Sequence, residues 1–194
     1  GRIARQTGDF VRARALHEKS LLIARSISSA PISAYTLNKL GELALDQGDR
    51  EAATRLHTEA LQLNREMNDP YYVADSLCCL AAVKTKQEQL SVAHQYLTEA
   101  LEIAWKIRAS AILLHVFACF ACWYAVKERF DRALEVLGFL SQYESLPYRI
   151  ARLMQEVYAD IEARLSPDVC ESGSERGKVL PVETLVTELL RDGE

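Results

Sequence analysis

Apolar residues return every three or four positions through most of this chain, as in Leu37, Leu40, Leu43 and Ala44, or Leu97, Ala100, Leu101 and Ile103. That spacing is the mark of amphipathic helices. A longer period lies over it. Ala13, Ala53, Ala93 and Ala133 stand forty residues apart, and seven positions after each come Ser20, Ala60, Ala100 and Leu140. On the preceding segments, Leu37, Leu77 and Phe117, then Leu40, Leu80 and Phe120, lead to the small column Gly41, Ala81 and Ala121. Breakers follow: Thr7-Gly8-Asp9 and Gln47-Gly48-Asp49, then Glu88-Gln89 and Glu128-Arg129. Glycine supplies backbone freedom at a helix end, and aspartate caps the helix after it.

Small side chains held in register let two antiparallel helices approach closely, and alanine does so without the helix cost of glycine. One such pair cannot bury its apolar face alone, so pairs stack and the core runs along the array. The pattern therefore predicts an all-α fold: a superhelical solenoid of antiparallel helix pairs over residues 1–165. Helices are expected near 10–27, 31–47, 50–67, 70–87, 90–107, 109–127, 130–143 and 147–165, giving repeats near 1–28, 31–67, 70–107 and 109–143. Residues 147–165 read as a capping helix, because the column Leu40, Leu80, Phe120 continues with the charged Asp160. Residues 166–180 hold Pro167, Gly173 and Gly177 among charges and read as a loop. A short helix then starts around Pro181 and stops at Arg191-Asp192-Gly193, packing with that loop as part of the cap in 166–194. Gly1 aligns with Gly41 and Ala4 with Ala44, so the first repeat reads as truncated. Phe10, Ala13, Leu16, Leu21 and Ile23 then lack part of their cover, and self-association through this N-terminal face is expected.

Composition narrows the function. The 194 residues are 49% apolar, enough for a sizeable core, and 23 basic residues against 27 acidic ones leave a net charge of -4. That balance offers no broad footprint for phosphate backbones, so direct nucleic-acid binding is not expected. The longest uncharged stretch, Ala109 to Val126, falls in register with segments that carry Asp75, Lys84 and Lys86. It reads as a core helix rather than a bilayer span, and no membrane association is expected. No secretory signal is visible. Five cysteines, four of them in apolar helical stretches, suit small buried thiols in a reducing cytoplasm.

The small columns, the Gly-Asp turn and the closing triplets Glu59-Ala60-Leu61 and Glu99-Ala100-Leu101 resemble tetratricopeptide repeats of the longer, forty-residue kind, from residue 1 to about 165. The resemblance implies a right-handed superhelix that binds proteins or peptides. Within that superfamily the chain is similar to the C-terminal repeat arms of bacterial signal-transduction ATPases and LuxR-like transcriptional regulators. Arg132-Ala133-Leu134-Glu135-Val136-Leu137-Gly138 and Gly177-Lys178-Val179-Leu180-Pro181-Val182-Glu183-Thr184-Leu185 carry that similarity. In such regulators nucleotide and DNA are bound by other, upstream domains. This chain has no Gly-x-x-x-x-Gly-Lys-Ser/Thr loop and no Gly-x-Gly-x-x-Gly. A structural spacer, an oligomerisation scaffold or a eukaryotic adaptor with the same repeats are the alternatives.

The resemblance also implies where a partner would sit. First helices line the concave face, which assigns groove columns Tyr35, Asp75 and His115; Asn38, Cys78 and Ala118; Glu42, Ala82 and Cys122; and, further along each helix, Leu45, Thr85 and Ala125 with the column Asp46, Lys86 and Val126 beside them. A peptide, a partner domain or a small regulatory ligand is the expected occupant. Other constellations read as structural. Cys119-Phe-Ala-Cys122 has redox or metal spacing, but no second Cys/His pair lies near it in sequence. His17 and His57 share a column with Leu97 and Leu137, a packing position. Asp46 with Asp49, and Glu42 with Asp46, suit a solvated face or a cap. No nucleophile, base and orienter can be assembled, so no catalytic residue, cofactor or metal is expected.

Overall fold

The computed structural model describes residues 1–192, apart from the side chains of Arg2 and Gln6; Gly193, the expected stop of the last helix, lies outside the described residues. The fold is the all-helical solenoid of paired helices that the periodicity predicts. Eleven helices follow one another among the described residues: α1 Arg2–Gln6, α2 Phe10–Ser26, α3 Ala30–Asp46, α4 Arg50–Glu66, α5 Pro70–Lys86, α6 Leu90–Lys106, α7 Ser110–Val126, α8 Phe130–Leu140, α9 Tyr148–Glu162, α10 Pro167–Lys178 and α11 Val182–Arg191. Neighbours in sequence pack as pairs, α3 with α4, α5 with α6 and α7 with α8, and each first helix also lies against the next, α5 on α7 and α7 on α9.

The joints repeat at half the sequence period. Residues 8, 28, 48, 68, 88, 108 and 128 all take positive φ, one every twenty positions. At each joint the amide three residues past the last helical residue donates to a carbonyl five residues back, from Asp9 to Ala4 through to Arg129 to Tyr124, at 2.8 to 3.2 Å. This is the Schellman closure, and it needs a left-handed residue. Glycine fills two of the seven sites, Gly8 and Gly48. Asn68 tolerates a third, while Ser28, Glu88, Arg108 and Glu128 hold φ between 52° and 59° with a Cβ present. The residue after each left-handed position is the N-cap of the next helix. Asp9, Asp49 and Asp69 accept there from the amides of Arg12, Ala52 and Tyr72.

Packing explains a coupling between two sequence columns. A Cβ on Gly41 would lie 2.5 Å from the His57 ring, and one on Gly1 would run into the His17 ring. In the next two repeats the same pair of columns holds Ala81 with Leu97 and Ala121 with Leu137. Where the second helix carries an imidazole, the first gives up its methyl group. Ala13, Ala53, Ala93 and Ala133 are fully buried at the crossings.

Two sequence expectations change. Residues 166–180 are not a loop: α10 occupies most of them, with Pro167 in its first turn after Ser166. Its glycines are contact points. A Cβ on Gly177 would strike the carbonyl of Glu135, one on Gly138 the carbonyl of Ser174, and one on Gly173 the Leu134 side chain. Here α8 and α10 touch backbone to backbone, so the glycines read as breakers are what the crossing requires. At the other end, Ala13 and Leu21 are buried, Ala13 beside Ala4 and Leu43 and Leu21 beside Leu37 and Leu40, whereas Leu16 and Ile23 are exposed as expected. Asp160 is exposed on α9. Helix α11 is fastened by Arg132, which pairs with Glu188 and Asp192, and by the Tyr124 hydroxyl, which donates to Asp192.

Two outcomes test this account. Gly41→Ala should cost about 1–3 kcal/mol through overpacking, and the cost should shrink in a His57→Leu background; a double-mutant cycle in chemical denaturation reads the coupling. Additive effects would contradict the paired columns. Glu88→Gly should raise stability by about 0.5–1 kcal/mol, because relief of left-handed strain exceeds the added unfolded-chain entropy. A lower thermal midpoint would refute the strain.

Candidate functional site: the concave channel and its charged floor

The first helices meet on one side of the array, and α9 crosses to join them. Arg149, on the first turn of α9, is the side chain that ties this face together. Its guanidinium donates to Asp75 on α5 at 2.8 Å, lies 3.4 Å from Glu42 on α3, and donates to the Cys79 sulfur at 2.8 Å. Arg152, one turn on, reaches Asp46 at 3.5 Å. From the opposite end, Arg5 on α1 pairs with both Glu42 and Asp46. Lys39 adds a bond to Glu42 at 2.8 Å. Three carboxylates are thus held by four cations from α1, α3 and α9.

The electrostatics follow from that enclosure. Burial alone would raise the Glu42 carboxyl, but Arg149, Lys39 and Arg5 outweigh it and hold the group at about 2. Asp75 is likewise opposed by burial and lowered by Arg149 and by its hydrogen bond with His115. Both remain charged under all but strongly acidic conditions. Below them lies a neutral polar layer. His57 Nδ1 donates to Asn38 Oδ1 at 2.9 Å, and the Asn38 amide donates to Ser76 at 2.9 Å, which Asn64 also reaches at 3.0 Å. Burial lowers His57 to about 4, so it is held neutral.

Arg5, Arg149 and Arg152 divide the channel into two cavities. The outer one, about 480 Å3, is walled by Phe10, His17, Tyr35, Lys39, Tyr148 and Pro147. The inner one, about 210 Å3, runs past Ala82, Lys86, Leu153 and Glu156 to a floor of Cys78, His115 and Cys119. At that floor the His115 Nδ1 lies 3.3 Å from Asp75 Oδ1, and its Nε2 lies 3.6 Å from Cys119 Sγ. Cys78 brings a second sulfur, and the three donor atoms all lie within 4.8 Å of one another. Such a grouping can ligate a soft cation or polarise a thiol.

The assigned groove residues separate into three groups. Tyr35 and Lys86 are exposed on the channel walls, Glu42 and His115 lie at its floor, and Asp75 stands behind them, held by Arg149 and His115. Cys78 is fully covered at the bottom of the inner cavity. Asn38 and Ala118 are buried in helix packing, and Asn38 is spent on the polar layer, so neither lines open space. Cys122 is half-buried and takes no part in the donor grouping. Sequence reasoning did not find Arg5, Arg149, Arg152 or the convergence of Cys78 with His115 and Cys119. These partners sit far apart in the chain, and no local pattern marks them.

A family model of the tetratricopeptide repeat matches residues 1–66. No curated protein matches this chain. Repeats of this type generally mediate protein–protein interactions, and the matched segment contributes Arg5, Tyr35, Lys39, Glu42 and Asp46 to the channel. No helix among the described residues is long and apolar enough to cross a membrane.

The polar layer generates a pH test. The lowered His57 stabilises the fold fully above its ordinary value of 6.5 and loses that contribution as the pH falls toward about 4, because the unfolded chain binds the proton first. The stability difference between the wild type and His57→Gln should therefore change by about 3 kcal/mol between roughly pH 7 and pH 4. A difference independent of pH, read from urea midpoints, would contradict a neutral His57.

Proposed function

We propose that this chain is an interaction arm whose outer concave cavity takes an extended, acidic segment of a partner protein. One observation carries the reading: cations outnumber carboxylates in the ion cluster by four to three, and its two most exposed members are the guanidinium groups of Arg149 and Arg152. The Glu42 side chain is 8% exposed, against 29% for Arg149 and 35% for Arg152. That cavity is lined by four cations, Arg5, Lys39, Arg149 and Arg152, against the carboxylates of Glu42 and Asp46, beside the rings of Tyr35, Tyr148 and Phe10. An acidic peptide with an aromatic or aliphatic anchor complements that surface, and a preformed groove limits the ordering cost of binding. The role is one of recognition rather than catalysis. As part of a larger, cytoplasmic bacterial regulator, such an arm would report a signal to nucleotide- and DNA-binding domains elsewhere in the protein. That extension rests on the similarity of Arg132–Gly138 and Gly177–Leu185 to the arms of signal-transduction ATPases. A rigid spacer is the competing reading, and binding separates the two.

The test is a screen of acidic peptides against the folded chain. Tyr35→Ala and Arg152→Glu should each weaken a hit about tenfold, near 1.4 kcal/mol, and Tyr35→Ala should leave the thermal midpoint nearly unchanged. Arg65→Glu on the outer helix α4 should have no effect. Hits that survive both channel variants and are lost in Arg65→Glu would overturn the proposal.

A further inference from the structure

The floor of the inner cavity carries chemistry that peptide recognition does not require. Cys78 comes from α5, and His115 and Cys119, one helical turn apart, from α7; the helices are packed against each other and all three side chains are buried. Cys119 Sγ and His115 Nε2 are 3.6 Å apart. A tetrahedral zinc ion with ordinary bond lengths holds a sulfur and a nitrogen about 3.5 Å apart, and two sulfurs about 3.8 Å apart. The three donors, all within 4.8 Å of one another, close to that geometry by rotamer-scale shifts.

The surroundings fit an ion as well as the donors do. Asp75 Oδ1 lies 3.3 Å from His115 Nδ1, so Nδ1 carries the proton and Nε2 presents its lone pair toward the two sulfurs. Carboxylate, imidazole and metal in line is the usual way a protein fixes the tautomer of a ligating histidine. Asp75 is held in turn by Arg149. Two thiolates neutralise a divalent cation, so the ion adds no net charge to the buried site. All three donor residues line the inner cavity, which Lys86, Leu153 and Glu156 border.

We propose that Cys78, His115 and Cys119 bind one zinc ion, with water from the inner cavity as the fourth ligand and Asp75 as the residue that positions His115. The expectation of no metal considered Cys119-x-x-Cys122 and the column of His17 and His57; the proposed site takes Cys78 rather than Cys122 as its second thiolate. Binding displaces the thiol protons of Cys78 and Cys119 into solvent. The site stands on its own geometry and does not depend on the peptide reading.

The experiment uses the whole chain, stripped of metal and kept under a phosphine reductant so that the thiols stay reduced. Titration with cobalt(II) alone should give the intense visible bands of a tetrahedral ion and a thiolate charge-transfer band, saturating at one equivalent and displaced by one equivalent of zinc. Cys78→Ser and Cys119→Ser should each weaken zinc binding by more than about 100-fold, and Asp75→Asn by about 10- to 100-fold. Cys122→Ser and Cys170→Ser should bind as the wild type does. The cobalt spectrum of the unsubstituted chain decides the matter even if a variant fails to fold. An octahedral spectrum, no uptake, or rapid alkylation of Cys119 undiminished by zinc would overturn the proposal.

Discussion

A left-handed residue every twenty positions is the constraint on which the rest of this structure depends. Each helix that runs to its joint is closed by the same amide-to-carbonyl bond, so α2 through α7 all have seventeen residues and each turn re-aims the chain identically. Equal helices and equal turns put residue n and residue n + 40 in the same environment, which is why alanine recurs at the crossings. They also bring α1, α3, α5, α7 and α9 to one side. The channel is a product of the joints, and the chain accepts backbone strain at Ser28, Glu88, Arg108 and Glu128 to keep them.

Once the helices are so placed, charge decides what the channel becomes. Glu42 and Asp75 project from equivalent first helices into a space too narrow for bulk hydration, and either alone would be costly there. Arg149 resolves that by entering from α9. A buried cluster of this kind contributes little net stability against an apolar core, but removing one member costs on the order of 3–5 kcal/mol because the others are left unpaired. The cluster therefore acts as a specificity device for the C-terminal part: α9 must stand where Arg149 meets both carboxylates, and the α8–α10 crossing then follows behind it.

How much of this the sequence discloses depends on the distance over which each interaction acts. Periodicity at three to four and at forty residues reports helices and their pairing, because Ala53, Ala93 and their equivalents answer to local geometry repeated in register. Residues 166–180 misled because glycine has two uses, freeing a backbone or letting another backbone approach, and only a packed neighbour distinguishes them. The groove columns located Tyr35, Glu42, Lys86 and His115 on the channel and Asp75 directly behind it, yet the same columns included Asn38 and Ala118, which helix packing buries. Arg149 and Glu42 are joined by shape alone, across more than half the chain. The donor grouping is a similar case: His115 and Cys119 share a helix face, but the sulfur that makes them a site comes from the previous repeat.

The same logic explains why variation among repeats concentrates on the inner face. A column at a crossing has one neighbour of fixed size, and the pairs Gly41 with His57 and Ala81 with Leu97 show that it changes only in step with that neighbour. A column on the channel faces other channel residues from several helices at once, so its requirement is collective. Asp75 serves Arg149 and His115 together, while the equivalent Tyr35 one repeat earlier stands exposed beside Lys39. Chemistry gathers where repeats are free to differ, and in this chain that freedom is used twice: cations and rings at the outer cavity, thiols and imidazole at the inner one.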